Sequence, residues 1–148
     1  MYFVDRAKIK ETVDYMNQLL KVYEEKKEWQ SVLDQLALER LAQNVIESII
    51  DVGNSMIDGF IMRDPGSYSD IIDILADEGV ISAEMHEPLK EVIELRKMLV
   101  REFSKADHGE IVSTFNRFFE ALIKFGPKVD HYLQHELGSV SAFLPEKD

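Results

Sequence analysis

The sequence predicts an all-helical protein: an antiparallel four-helix bundle with one or two short accessory helices. Apolar residues recur every three or four positions along most of the chain. Strictly alternating apolar and polar runs, which are typical of strands, are nearly absent. Only four prolines and seven glycines interrupt the 148 residues. We therefore expect long amphipathic helices joined by short links, folded as a single domain over residues 1–148.

The first two predicted helices are long. Helix one is expected from Asp5, a residue type that caps helix N-termini, to Lys27, with apolar residues spaced by four, three, four and three. Helix two is expected from Ser31 to Phe60. Its apolar residues cover an arc wider than one partner helix buries. This arc predicts burial on two sides, inside the bundle and in a dimer interface.

A short helix and a long one follow. Ser67 and Asp70 form a capping box that opens a short helix ending near Ala76. Helix four is expected over residues 83–104, with Ser82 as its N-cap.

The last part of the chain predicts a fifth helix and a short final one. Asp107 caps the fifth helix, with Glu110 at the reciprocal position of the box. Gly126 and Pro127 are expected to close it, because this pair is typical of a helix end followed by a new start. The final helix is expected over residues 129–136.

Composition limits the classes of function. The formal net charge of −11 repels polyanions at long range and disfavours non-specific nucleic-acid binding over the whole surface. The absence of cysteine excludes disulfides and thiolate metal sites. No apolar run approaches the roughly 20 residues that span a bilayer, and the N-terminus lacks a signal-peptide pattern. We therefore expect a cytoplasmic protein without membrane contact.

The segment from Leu95 to Phe103 reads Leu-Arg-Lys-Met-Leu-Val-Arg-Glu-Phe. It resembles the signature of HepT-like proteins of the HEPN group, R-N-x-L-V-H-x-Y, in which four to six residues separate the arginine from the histidine. Residues 37–54 look like the second helix of that family, and residues 65–79 look like its central loop and short helix. The opening Met-Tyr-Phe-Val-Asp-Arg is similar to a YutE-like branch of the family.

This resemblance implies a fold, an activity and partners. The fold it implies is a helical bundle that forms a homodimer. The activity is metal-independent cleavage of RNA, so neither a cofactor nor a metal is expected. The implied partner is a small MNT-type nucleotidyltransferase antitoxin that can adenylylate the motif tyrosine.

Two of the three chemical positions of the motif are replaced. Metal-free RNA cleavage needs a group that accepts the proton of the 2′-hydroxyl and a cation that stabilises charge on the phosphate. Arg96 matches the family's arginine. Arg101 stands at the histidine position, and its guanidinium stays protonated, so it cannot be a general base. Phe103 stands at the tyrosine position and lacks the hydroxyl. The sequence therefore predicts little or no ribonuclease activity.

The position of Arg96 allows two interpretations. It falls on the apolar stripe of helix four, where a charge needs a partner. It either faces phosphate in a dimer cleft or forms a structural ion pair with an acidic residue of helix two. The candidates for that pair are Glu47, Asp51 and Asp58. The ion pair is the commoner role for such an arginine.

The basic face of helix four is also open to two interpretations. Lys97 and Lys105, with Lys90 and Arg101, either line RNA or form a solvated face paired with acidic neighbours, which is the commoner case.

His131 and His135 have metal-ligand spacing but no indicated third ligand, so we expect a solvent-facing pair. His108 is either a replacement base or, as is more common, an exposed first-turn residue.

Two functions remain in competition. One is a HepT-like protein of the toxin–antitoxin type with a degenerate motif. The other is a non-catalytic dimeric helical module that binds a partner protein or a nucleotide.

Overall fold

The computed structural model describes residues 4–137, which form six α-helices and one 3-10 turn. They are α1 (Arg6–Glu25), α2 (Val32–Gly59), α3 (Tyr68–Asp77), α4 (Ala83–Arg101), the turn Phe103–Lys105, α5 (His108–Arg117) and α6 (Phe119–Leu137). Four of these helices are long and two, α3 and α5, are short. The prediction of an all-helical bundle with short accessory helices is confirmed. Within the same residues no helix is long and apolar enough to cross a bilayer.

Helix α2 is the central element, and α1, α3, α4 and α5 all contact it. Its wide apolar arc is buried, from Val45 to Ile57. The arc is therefore covered by neighbouring helices of the same chain and does not by itself require a second subunit. The exposed apolar residues of α2 lie instead at its N-terminal end, where Leu33 is 78% exposed.

The local signals at helix starts are accurate. The side chains of Asp5, Ser67 and Asp107 each accept a hydrogen bond from the backbone N–H three residues further along, at 3.0, 3.1 and 3.0 Å. Each bond satisfies one of the N–H groups that a helix start leaves unpaired. Ser82 occupies the N-cap of α4 without a side-chain hydrogen bond.

The prediction that Gly126 and Pro127 end a helix is wrong, since α6 runs through both residues. Proline removes the hydrogen bond to the carbonyl four residues earlier, which belongs here to Ile123. Pro127 and Ile123 are both exposed, so this carbonyl lies on the side of α6 that water reaches. Gly126 faces α1, and a Cβ there would lie 2.6 Å from Val13 Cγ1. The glycine thus permits close packing.

The break between α5 and α6 falls earlier, at Phe118. There the ring of Tyr23 from α1 packs against Phe115 and Phe119, with ring centroids 5.2 and 5.9 Å apart. The Tyr23 hydroxyl donates to Asn116 Oδ1 at 2.7 Å. The fourth long helix of the bundle is therefore α6. The sequence predicted this helix at residues 107–125 instead.

Helix α3 packs closely onto α2 at Gly53. A Cβ at this position would lie 2.4 Å from Ile71 Cγ2. The methyl group belongs to a β-branched side chain, which has little freedom to move aside. The absence of a side chain at Gly53 therefore fixes how near α3 lies to α2.

We expect Gly53→Ala to lower the free energy of unfolding by about 1 to 3 kcal/mol, because the added methyl overpacks the contact with Ile71. The measurement is urea denaturation followed by circular dichroism. Gly109→Ala is the matched control. Its Cβ would lie 3.4 Å from the nearest atom, Asp107 Oδ1, so stability should stay the same or rise slightly. A Gly53→Ala protein as stable as the wild type would contradict the close approach.

Candidate functional site

Arg96, which the sequence pattern assigns to the motif arginine, lies in a three-helix contact. Arg96 of α4 donates from Nε to Glu47 Oε1 of α2 at 2.6 Å. The Cζ atom of Arg96 lies 4.3 Å from the ring centroid of Tyr68, the first residue of α3. Of the three acidic candidates on α2, the structure therefore brings Glu47 to Arg96. Asp51 instead lies 3.9 Å from Lys8 of α1.

Arg96 is partly accessible despite its ion pair. Its side chain is 26% exposed and that of Glu47 is 41% exposed. The contact with Glu47 uses Nε, and within residues 4–137 no partner is found for the two terminal nitrogens. An arginine has five N–H donors, so an accessible edge remains for an anion. The ion pair and the anion-binding role are thus compatible with each other.

The other two motif positions lie where α4 ends. We expected α4 to continue to Ser104. The helix ends at Arg101 and a 3-10 turn follows, so this expectation is wrong. Phe103 is 69% exposed, and Arg101 is exposed as well. Among the described residues, Arg101 has no ion-pair partner.

The end of α4 is tied to the start of α5. The backbone N–H of Asp107 lies 3.2 Å from Met98 Sδ, while the Asp107 carboxylate caps α5. The chain must leave the α4 axis before Asp107 to make both contacts. This explains why Phe103 does not continue the apolar stripe of α4.

Two residues of the basic face of α4, Lys90 and Lys97, are paired with acidic neighbours. Lys97 Nζ lies 3.0 Å from Glu94 Oε2, and both side chains are at least half exposed. Lys90 Nζ lies 3.0 Å from Asp73 Oδ1 of α3. Lys105 is exposed in the 3-10 turn. The structure does not bring these lysines together into one cluster with Arg96.

The histidines occupy different places. His108 is half-buried, and its Nε2 lies 2.7 Å from Glu39 Oε2 of α2, so the expectation of an exposed residue is wrong. His131 and His135 are both exposed on α6, with rings stacked 6.2 Å apart. The solvent-facing interpretation of that pair is confirmed.

Ion pairs hold α3 and the preceding loop in place. Asp70 accepts two hydrogen bonds from Arg63, at 2.7 and 2.9 Å, and one from the Gly66 N–H at 2.9 Å. These contacts, the Arg63 guanidinium first, hold the pKa of the Asp70 carboxyl well below its usual range. Asp73 hydrogen-bonds His86 of α4 and pairs with Lys90.

An aromatic cleft lies apart from the motif. It is lined by Tyr23, Trp29 and Phe119, and no motif residue contributes to it. Trp29 and Phe119 both stack on the Tyr23 ring at 5.9 Å. Burial raises the pKa of Tyr23 to about 12, so its hydroxyl stays protonated and donates to Asn116. These rings stabilise the junction of α1, α5 and α6.

Sequence reasoning missed Tyr68. The position of Tyr68 was a signal, because it directly follows the capping serine in a segment similar to the family's central loop. The pairs His108–Glu39 and Asp73–His86 were also missed, since neither has a sequence spacing that marks it.

Comparison with known proteins agrees with the helical architecture. The family model for ribonuclease HepT-like proteins matches residues 9–129. The chain therefore belongs to the ribonuclease HepT-like family.

Relatives from Bacillus subtilis cover nearly the whole chain. The chain is 47% identical over 143 residues to "Putative RNase YutE" of strain 168. This match covers 97% of this chain and 99% of that protein. It is also similar to a solved structure of the cytosolic protein of unknown function YutE from Bacillus subtilis. That match has a TM-score of 0.91 and 46% identity, and it covers 93% of this chain and 96% of the other.

More distant structures share the fold. A tri-AMPylated HEPN toxin of Shewanella oneidensis, in complex with an MNT antitoxin, has a TM-score of 0.72 and 20% identity, covering 83% of this chain and 96% of that one. A toxin–antitoxin structure with AMP-PNP has a TM-score of 0.70 and 20% identity, covering 82% and 96%.

We expect Asp73→Asn to lower the melting temperature near neutral pH, because α3 loses its ion pair to α4. His86, then Lys90, holds the pKa of the Asp73 carboxyl below its usual value. Such a group stabilises the fold above its unfolded pKa and loses that effect as the pH falls through its folded pKa. The difference from wild type should therefore persist from about pH 7 to about pH 5 and shrink below about pH 4.

The measurement is a series of thermal melts across this pH range. Glu94→Gln is the control, since it removes an exposed partner of Lys97 and should change little at any pH. A difference for Asp73→Asn that grows as the pH falls below about 4 would contradict the assignment.

Proposed function

We propose that this chain is a HepT-like protein of the toxin–antitoxin type that contacts RNA through Arg96 but cleaves it weakly or not at all. One observation carries the proposal: the residue at the position of the family's histidine is Arg101. Its guanidinium keeps its proton at physiological pH and cannot accept one from a 2′-hydroxyl. Phe103, at the tyrosine position, adds no polar group that replaces it.

The placement of the histidines in residues 4–137 supports this proposal. His86 lies ten residues before Arg96 on the same helix, or about 15 Å along its axis, and contacts Asp73. His108 is engaged with Glu39. His131 and His135 lie on α6. No imidazole belongs to the turn of α4 that holds Arg101.

Lys97 and Lys105 are the proposed auxiliary contacts to the RNA backbone. Both are exposed on or just beyond the C-terminal half of α4, as is Arg101. The pair between Lys97 and Glu94 is solvent-exposed and therefore weak, so Lys97 remains available to a phosphate. Few positive groups in an acidic protein imply modest affinity and a shallow salt dependence, because few counterions are released on binding.

We expect the purified wild-type protein to leave labelled RNA intact in the presence of a metal chelator. The double variant Arg101→His, Phe103→Tyr should cleave it at least about a hundredfold faster, because an imidazole titrates near neutrality and acts as a general base. Adding Arg96→Ala to the double variant should abolish this gain. Cleavage is followed on a denaturing gel, with circular dichroism to show that each variant is folded.

Robust metal-free cleavage by the unmodified chain, lost in Arg96→Ala, would overturn the proposal. A folded double variant that stays inert would show that the motif alone does not account for the missing activity.

The proposed assembly is a cytoplasmic homodimer that pairs with an MNT-type nucleotidyltransferase. The structural neighbour in complex with an MNT antitoxin supports the partner, and the neighbour described as cytosolic supports the location. Val100 and Phe103 support the dimer, since these apolar side chains are 38% and 69% exposed beside Arg101. Phe103 has no hydroxyl, so it is not a site for adenylylation.

We expect light scattering to give a particle of twice the 17.1 kDa chain mass. Phe103→Asp should convert it to a monomer, because a buried unpaired charge opposes the interface. Ile123→Asp, on a 44% exposed residue of α6, is the control and should leave the dimer intact. Co-expression with an MNT-type protein should give co-elution. A wild-type monomer at every concentration tested would contradict the assembly.

A second candidate is a non-catalytic dimeric module that binds a partner protein or a nucleotide. The start of α2 favours it, because Val32, Leu33 and Leu36 are 72%, 78% and 55% exposed on adjacent turns. Three neighbouring apolar side chains of this kind are typical of a protein-binding surface. If this protein binds an MNT-type partner but does not bind RNA, the result would favour this candidate.

A further inference from the structure

We propose that Tyr68 and Arg96 form a subsite for one unpaired nucleotide of single-stranded RNA. The base stacks on the open face of the Tyr68 ring, and the phosphate is bound by the terminal nitrogens of Arg96. This inference rests on the proposed RNA contact of Arg96 and adds the residue that selects the form of RNA.

The orientation of the Arg96 guanidinium is restricted on two sides. Glu47 Oε1 takes the Nε edge at 2.6 Å, and the Tyr68 ring lies 4.3 Å from Cζ. The edge formed by the two terminal nitrogens has no partner within residues 4–137. Two parallel N–H groups on that edge match two oxygens of a phosphate, which is how arginine binds this group most strongly.

The Tyr68 ring has one face engaged and a large part of its surface open. The guanidinium covers one side, yet 48% of the residue is exposed. Within the described residues, no group makes a hydrogen bond to its hydroxyl. An exposed aromatic ring fixed beside a cation is the arrangement that stacks nucleobases in proteins that bind single strands.

The ring is held before any ligand arrives. Tyr68 follows the capping residue Ser67, whose Oγ accepts from the Asp70 N–H at 3.1 Å. Asp70 is itself fixed by Arg63, and the next turn of α3 is buried at Ile71. A residue placed on a rigid element loses little conformational freedom when a base stacks on it.

Stacking on Tyr68 predicts a preference for unpaired RNA. A base in a duplex is already stacked on its neighbours and paired, so it reaches an aromatic side chain only after it leaves the helix. Single strands present their bases freely. The base and the guanidinium lie on opposite faces of the Tyr68 ring, separated by the thickness of the ring. One nucleotide can therefore place its base on Tyr68 and its phosphate on Arg96.

The charge around the site makes stacking important. The chain carries a net charge of −11, and Glu47 lies next to Arg96. Lys97 is adjacent in sequence, and its exposed pair with Glu94 leaves it as one further positive group beside Arg96. Electrostatic attraction alone therefore contributes little, and stacking supplies affinity that does not depend on charge.

The first test is fluorescence anisotropy with a labelled single-stranded RNA and the same RNA in a duplex. The wild type should bind the single strand more tightly. Tyr68→Ala and Tyr68→Leu should weaken that binding by roughly fivefold or more, while Tyr68→Phe, which keeps the ring, should bind as the wild type does. Tyr15→Ala is the matched control, since Tyr15 is 42% exposed on α1, where its hydroxyl accepts from Asn44.

The second test is photocross-linking with the same RNA carrying 5-iodouridine, mapped by mass spectrometry. We expect the cross-link at Tyr68, and a purely structural role for this residue would not produce it. Equal binding of duplex and single strand, or unchanged binding by Tyr68→Ala while Arg96→Ala abolishes it, would overturn this inference and leave the proposed function standing. A wild-type chain that binds neither RNA would overturn both.

Discussion

The close approach of α3 to α2 at Gly53 is the constraint on which the candidate site depends. With no side chain at that position, Ile71 sits directly against the central helix. The same approach sets the distance of α3 from α4, and α3 begins with Tyr68. The stacked contact with Arg96 is therefore a consequence of a packing arrangement one turn away. Ion pairs from Asp70 and Asp73 reinforce this placement, but the glycine permits it.

Local signals in the sequence account for most of the fold. Caps at Asp5, Ser67 and Asp107 depend on residues a few positions apart, and all three form as expected. Helical periodicity likewise depends on near neighbours. The effect of Pro127 does not depend on near neighbours alone. Whether a proline breaks a helix depends on which side of the helix faces water and which side packs on a neighbouring helix. That information exists only once α6 is packed on α1.

The candidate site was predictable in part. The sequence indicated Arg96 and offered Glu47 as one of three partners, and the structure selects it. Tyr68 is 28 positions from Arg96 by residue number, and an aromatic residue at a helix start has the same pattern whether it is buried or exposed. His108 and Glu39 are 69 positions apart. Contacts of this kind depend on how helices are arranged, which periodicity does not specify.

The exposed end of α4 has an evolutionary consequence. Arg101 and Phe103 contribute nothing to the core, so substitutions there are not selected against by folding stability. The acid–base character of these two side chains can therefore change while the scaffold and Arg96 persist. Substitutions that add or remove a titratable group at these two sites therefore pass through well-folded proteins at every step.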